Sequence, residues 1–245
     1  MPDGKRKFEQ DVTLLADTLS VNMTEGHKMK LSKLRDDLIN LHKQNVVKIN
    51  HSVMELVCAK YLIMKDYDVE VEYQLDPILT CDLYSSKGYG NLIVEIETGY
   101  IPPEHAMAPL TYTSARLASK IIRYSSFAGK FAIGVPPHYV LPIPTALVLP
   151  PRRRTPNDIE RIKNLCDRYY QKPPVTEEAI HNSRIHEIYL IDVDRLRVQA
   201  MDPEEYMKRA MNKGVVFTPE DEAVIGLQKA GKAIRHKEKI DYYTK

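Results

Sequence analysis

The sequence predicts an α/β domain with a mixed sheet, flanked by helices before and after it. Three observations carry that prediction. The stretch 79–98 reads as two strands joined by a turn containing Gly88 and Gly90, residues that supply the positive φ angles a tight reversal needs. Ahead of it, VEVEYQL at 69–75 alternates apolar and polar residues, the pattern of a half-exposed strand. The surrounding segments have helical spacing, so the central order is helix, strand, strand, strand, helix, strand.

With 245 residues the chain is one large domain or a domain with appendages. Residues 1–49 are expected to form a helical extension, 50–200 the core domain, and 201–245 C-terminal helices and a tail. The hydrophobic fraction of 43% and charged fraction of 28% are ordinary for a globular protein. A net charge of +2 means that any basic surface must be local. Cys58, Cys81 and Cys166 lack zinc-ligand spacing, and an odd count argues against a disulfide framework. The first residues lack the apolar core of a signal peptide, and no apolar run approaches the ~20 residues of a membrane span. A cytoplasmic protein with no membrane association is therefore expected. No phosphate-loop motif, G-x-S-x-G elbow or GxGxxG fingerprint occurs, which leaves those enzyme classes without support.

In chain order, 11–19 and 28–45 are predicted helices. The second carries Leu31, Leu34, Leu38 and Leu41 at spacings of three and four, an apolar stripe that packs on the core or forms a seam in a homodimer. The helix over 50–65 starts at Asn50 or Ser52 and is apolar over most of its surface, as a buried helix is. Glu55 interrupts that surface, and His51 precedes it by one turn. A buried glutamate must be paired or ligated; His51 is read as a helix-end residue bonded to backbone.

Along 69–75, Val69, Val71, Tyr73 and Leu75 are expected on one face and Glu70, Glu72 and Gln74 on the other. Asp76-Pro77 ends the strand. In the hairpin, Glu95 and Glu97 share a face opposite to Leu92, Val94 and Ile96. A turn centred between Gly88 and Tyr89 places Asp82 directly opposite Glu95. Three carboxylates on one patch of sheet either face solvent or surround a cation, since hard divalent ions take oxygen ligands.

After a proline-rich loop, 111–127 is a predicted helix on which Tyr112, Arg116, Lys120 and Arg123 form one stripe. An aromatic residue with three cations suits a phosphate backbone; the other reading is a solvated helix face. A strand follows at 130–135. The proline-rich 141–150 is a further strand or a covering segment. Arg152, Arg153 and Arg154 precede Thr155-Pro156, a helix start with Thr155 as cap, and those arginines either grip phosphates or line a solvated loop. Helix is predicted over 157–170, a short helical turn within 172–183, a strand over 185–193, and helices over 203–213 and 219–237. The last of these is capped by Thr218, and a charged tail follows it.

The acids now stand at Glu55 in the first core helix, Asp82 in the second strand, and Glu95 with Glu97 in the third. In that order the chain resembles the PD-(D/E)XK nuclease superfamily, which includes restriction endonucleases and archaeal junction resolvases. The resemblance spans about 50–136. Asp82 matches the superfamily's first aspartate, Glu95 its (D/E) position, and Glu55 the helix acid of many members. Glu97 stands where the motif lysine is expected; in members that supply the lysine from the following helix, Lys120 is the matching residue. The resemblance implies a restriction-endonuclease-like αβββαβ core and Mg²⁺-dependent hydrolysis of DNA, with Mn²⁺ able to substitute. It implies a metal held by Asp82, Glu95 and the Ile96 carbonyl, with Glu55 at a second position. Glu97 would accept a proton from water or bind that second metal, and Lys120 or Arg116 would steady charge on the phosphate. The departure at position 97 keeps a second reading open, a catalytically silent nucleic-acid-binding or assembly protein on the same scaffold.

Overall fold

In the computed structural model, which describes residues 3–212, six strands form one sheet in sequential order. Strands β1 (Asp68–Asp76), β2 (Leu79–Lys87) and β3 (Gly90–Ile96) are an antiparallel meander. β4 (Lys130–Val135) and β5 (Glu187–Asp192) continue in parallel, and β6 (Arg197–Met201) pairs antiparallel with β5. The architecture is α/β with a mixed, open sheet flanked by N- and C-terminal helices, and it matches a restriction-endonuclease-like arrangement. β6 has no counterpart among the predicted strands, because Val198 and Met201 pack into the two different cores, leaving no apolar alternation, and most of it is exposed.

Two apolar cores sandwich the sheet. Helices α1 (Asp3–Ser20), α2 (Glu25–Lys43) and α3 (Ile49–Ile63) share one core with Leu83, Leu92, Val94 and Ile96. The leucine stripe of α2 is spent there: Leu31, Leu34 and Leu38 are buried with Phe8 and Val12 of α1. α3 begins a residue before the predicted start, with Lys48 as its cap and no side-chain cap bond. Its wide apolar surface is buried as expected, and Glu55 is buried within it.

The opposite core receives α4 (Pro109–Tyr124), the single turn α5 (Thr145–Val148), α6 (Pro156–Asp167), α7 (Glu177–Asn182) and α8 (Pro203–Asn212). The segment 141–150 is thus a covering segment rather than a strand. Thr155 caps α6 in a reciprocal capping box with Asp158, as the sequence predicts. The helix expected over 219–237 and the tail lie outside the described residues. Among the described residues no helix is long and apolar enough to cross a membrane.

The hairpin has the predicted register. Lys87 pairs with Gly90 across a two-residue turn in which Gly88 takes φ +57°, and the ladder runs on to Leu83 opposite Val94. β3 is then held from its other side. A Cβ on Gly134 would lie 2.7 Å from Ile96 Cδ1, so Ile96 packs where only glycine leaves room. The Glu97 amide donates to the Gly134 carbonyl at 2.8 Å. These contacts fix the main chain at Ile96, on which the site depends.

Candidate metal centre

One turn of α3 brings His51 and Glu55 onto the same side of the helix. His51 Nδ1 lies 2.8 Å from Glu55 Oε1, and Nε2 lies 3.2 Å from the Ile96 carbonyl oxygen and 3.6 Å from Asp82 Oδ2. His51 therefore bonds a backbone carbonyl, as expected, but also a buried carboxylate.

Glu72 and Asp82 reach this place through a change of face in both strands. On β1, Val69 and Val71 pack into the core under α3, whereas Tyr73 and Leu75 pack on the α4 side. The alternation reverses at Glu72, which has φ +48°. On β2, Leu83 packs on the α3 side and Cys81 on the α4 side, so the reversal falls at Asp82. The strict alternation expected along 69–75 is thus broken at its middle residue. His51, Glu55, Glu72 and Asp82 each offer a ligand atom, and these four atoms lie within 4.8 Å of one another.

The cluster is electrostatically tense. Burial, opposed by the His51 bond, pushes the Glu55 carboxyl above its ordinary range. Burial, with the charges of Glu55 and Asp82, pushes Glu72 up to about 7. Burial acts against a charge on His51, but the Glu55 hydrogen bond and Asp82 outweigh it and raise the imidazole to about 10. Glu55 Oε2 is buried and has no hydrogen-bond partner. An imidazole, three carboxylates and an orphaned buried oxygen fit a bound divalent cation.

Glu95 and Glu97 come together elsewhere. Asp82 sits opposite Glu95 at the end of the β2–β3 ladder, but their side chains diverge. The Asp82 carboxylate accepts the Ile96 N–H, while Glu95 Oε1 accepts the Asp82 N–H at 3.1 Å. Glu95 Oε2 then meets Lys120 Nζ at 2.9 Å, on the α4 side. Lys120 also lies 2.9 Å from Glu97 Oε1, and Arg116 donates to Glu97 Oε2 at 2.7 Å and to the Tyr100 carbonyl at 2.7 Å. Burial and the charge of Asp82 push Glu95 up to about 8. Burial also favours the neutral form of Glu97, yet Lys120 and Arg116 overcome it and hold that carboxyl below its ordinary range. Burial opposes the charge of Lys120, and the surrounding carboxylates raise it well above an ordinary lysine.

Among the other expected contacts, the Tyr112 ring stacks on His105, with Arg116 5.4 Å from its centroid. Arg123 donates to the Pro173 carbonyl. Arg152 and Arg153 are exposed on a single 3₁₀ turn. Arg154 is 7% exposed and turned inward, its guanidinium donating to the carbonyls of Ala146, Ile180 and His181 and to Ser183 Oγ.

His51 and Glu72 are the members of the cluster that the sequence does not single out as ligands. The i, i+4 spacing to Glu55 is the signal for His51; Glu72 has none, because its role depends on a backbone angle. The open mixed sheet carries a His/Glu/Glu/Asp cluster capable of coordinating a metal ion, an arrangement suggestive of a nuclease-like core. Comparisons with protein-family models, with curated proteins and with solved structures found no match.

Proposed function

We propose that the protein is a metal-dependent DNA endonuclease that hydrolyses phosphodiester bonds, in the manner of the PD-(D/E)XK nucleases it resembles. The observation that carries this reading is the convergence of His51, Glu55, Glu72 and Asp82 beside the Ile96 carbonyl, with Glu55 Oε2 buried and unpartnered. When bound, a divalent cation, Mg²⁺ or Mn²⁺, supplies Lewis acidity and a water of lowered pKa.

The chain's own groups have separable parts. Asp82, Glu55 and the Ile96 carbonyl would hold the ion. Glu95 positions Asp82 by accepting a hydrogen bond from its backbone N–H. Lys120, kept charged between Glu95 and Glu97, would steady negative charge developing on a phosphate oxygen. Arg116 anchors Glu97, so the lysine stays shared between two carboxylates. Tyr112, Arg123, Arg152 and Arg153 are the side chains proposed to meet the phosphate backbone.

A second reading has its own support. Lys120 and Arg116 already neutralise Glu95 and Glu97, and a doubly protonated His51 would pair with Glu55 Oε1 and the Ile96 carbonyl. Such internal compensation would suit a silent nucleic-acid-binding protein. Cleavage of plasmid, branched and single-stranded DNAs in Mg²⁺ or Mn²⁺ distinguishes the two. The endonuclease reading expects cleavage lost on chelation and in Asp82→Asn; binding without cleavage in either metal would favour the silent protein.

A further inference from the structure

We propose that Glu72 is itself a metal ligand, delivered by a left-handed kink in β1, and that with His51 it makes the centre selective for Mn²⁺ over Mg²⁺. This rests on the metal site of the preceding section and adds to it both a ligand and the choice of ion.

Glu72 is a non-glycine residue in the left-handed region, a conformation that costs on the order of 1–3 kcal/mol and persists where the surrounding structure demands it. The kink does not change the offset between the two strands. Val71 pairs with Leu83 and Tyr73 with Cys81 at one constant offset, so no residue is inserted at Glu72, and the register holds from Asp68 to Gln74 before it shifts between Gln74 and Asp76. What the kink changes is the face. Without it, residue 72 would keep the alternation of a regular strand, on the face opposite to Val71 and Tyr73. With it, the Glu72 carboxylate joins Asp82, its neighbour across the ladder, and His51 and Glu55 on α3. Moving a third carboxylate toward two others is unfavourable unless a cation is shared among them. The orphaned Glu55 Oε2 independently marks a missing partner at the same place.

The donor set then bears on the ion. Mg²⁺ prefers oxygen ligands and retains several waters, so two carboxylates with a carbonyl suffice for it. An imidazole nitrogen shifts preference toward transition metals. His51 also has the arrangement common to histidine ligands, with Nδ1 turned to the Glu55 carboxylate and Nε2 turned toward Asp82 and the Ile96 carbonyl.

The test is direct metal binding to the full chain, by calorimetry and by electron paramagnetic resonance of Mn²⁺. Wild type is expected to bind Mn²⁺ at least tenfold more tightly than Mg²⁺, with ¹⁴N coupling to the bound Mn²⁺ that disappears in His51→Gln. Glu72→Asn keeps a residue that tolerates the left-handed region and removes the charge; Mn²⁺ affinity should fall at least tenfold while the circular dichroism spectrum is retained. Glu72→Gln serves if that variant does not fold, and Glu70→Gln, on an exposed position of the same strand, should bind as wild type does. Unchanged Mn²⁺ binding in both Glu72 variants, with binding lost in Asp82→Asn, would overturn the ligand assignment and leave the site standing. Equal affinity for the two ions would overturn the selectivity. Wild type binding neither ion would overturn the site and this inference together.

Discussion

Replacing Lys120 with methionine removes the one ammonium shared by two buried carboxylates. Glu95 and Glu97 have side chains only 2% and 4% exposed, and each places an oxygen 2.9 Å from Lys120 Nζ. Arg116 remains on Glu97, but Glu95 is left with a single amide donor, the Asp82 N–H. Breaking a buried ion pair from one side costs about 3–5 kcal/mol, because the remaining charge stays desolvated. At about 2–4 °C per kcal/mol for a chain of this size, Tm should fall by roughly 6–20 °C. The sign of the pH dependence follows from the same charges. Without Lys120 the Glu95 carboxyl rises further and Glu97 loses much of what holds it low, so the folded variant takes up protons before the unfolded chain does as pH falls. The deficit should be greatest above about pH 8, where Glu95 is ionised, and should shrink on acidification toward about pH 5. Thermal unfolding followed by circular dichroism across that range is the assay, with Lys120→Met/Glu95→Gln expected to recover most of the loss. A loss below about 1 kcal/mol, independent of pH, is what a solvated ion pair would give, and it would refute the buried-network account.

Metal binding should strengthen as pH rises. Hydrogen bonding to Glu55 and the charge of Asp82 hold His51 protonated up to about 10 against the effect of burial, and Glu72 titrates at about 7, so binding must expel protons. Calorimetry in buffers of different ionisation enthalpy should detect that release; affinity independent of pH would contradict it. Arg152→Ala/Arg153→Ala should weaken DNA binding and reduce the salt slope by up to about 2, whereas Arg154→Met should destabilise the fold by on the order of 3 kcal/mol by stripping a buried guanidinium from its carbonyl acceptors. Salt-dependent binding isotherms and denaturant melts would expose the opposite assignment. Gly134→Ala should cost about 1–3 kcal/mol, since the new methyl meets Ile191 Cδ1 at 2.6 Å and Ile96 Cδ1 at 2.7 Å. It should also weaken metal binding by displacing the Ile96 carbonyl, and a metal affinity unchanged in that variant would disconnect β3 packing from the site.

The hairpin and its register were legible in the sequence because Gly88 marks the turn and a two-residue connection leaves one pairing open. The same reading placed Asp82 opposite Glu95. It did not show that their side chains part there, because a strand end frees the main chain to bond carboxylates, as the Ile96 N–H does with Asp82. Glu55 stood out as an acid in an apolar helix. His51 did not stand out as its partner in a site, since the carbonyl that completes its bonding lies 45 residues away on β3. Glu72 was assigned to the polar side of a regular strand, and only a backbone angle contradicts that assignment. Arg154 resembles its two neighbours in composition, and its burial depends on carbonyls presented by α7 and the 146–149 segment.

The measurement closest to the central claim compares wild type and Asp82→Asn for divalent-metal binding and DNA cleavage side by side. Asparagine is nearly isosteric with aspartate but ligates a divalent cation poorly, and it relieves repulsion within the cluster, so the metal-free variant should be no less stable than wild type. The account predicts cleavage by wild type in Mg²⁺ or Mn²⁺. In Asp82→Asn it predicts a fall of at least about a thousandfold, or about 4 kcal/mol of transition-state stabilisation, with DNA binding largely retained. Equal metal binding and equal cleavage by the two proteins would contradict it.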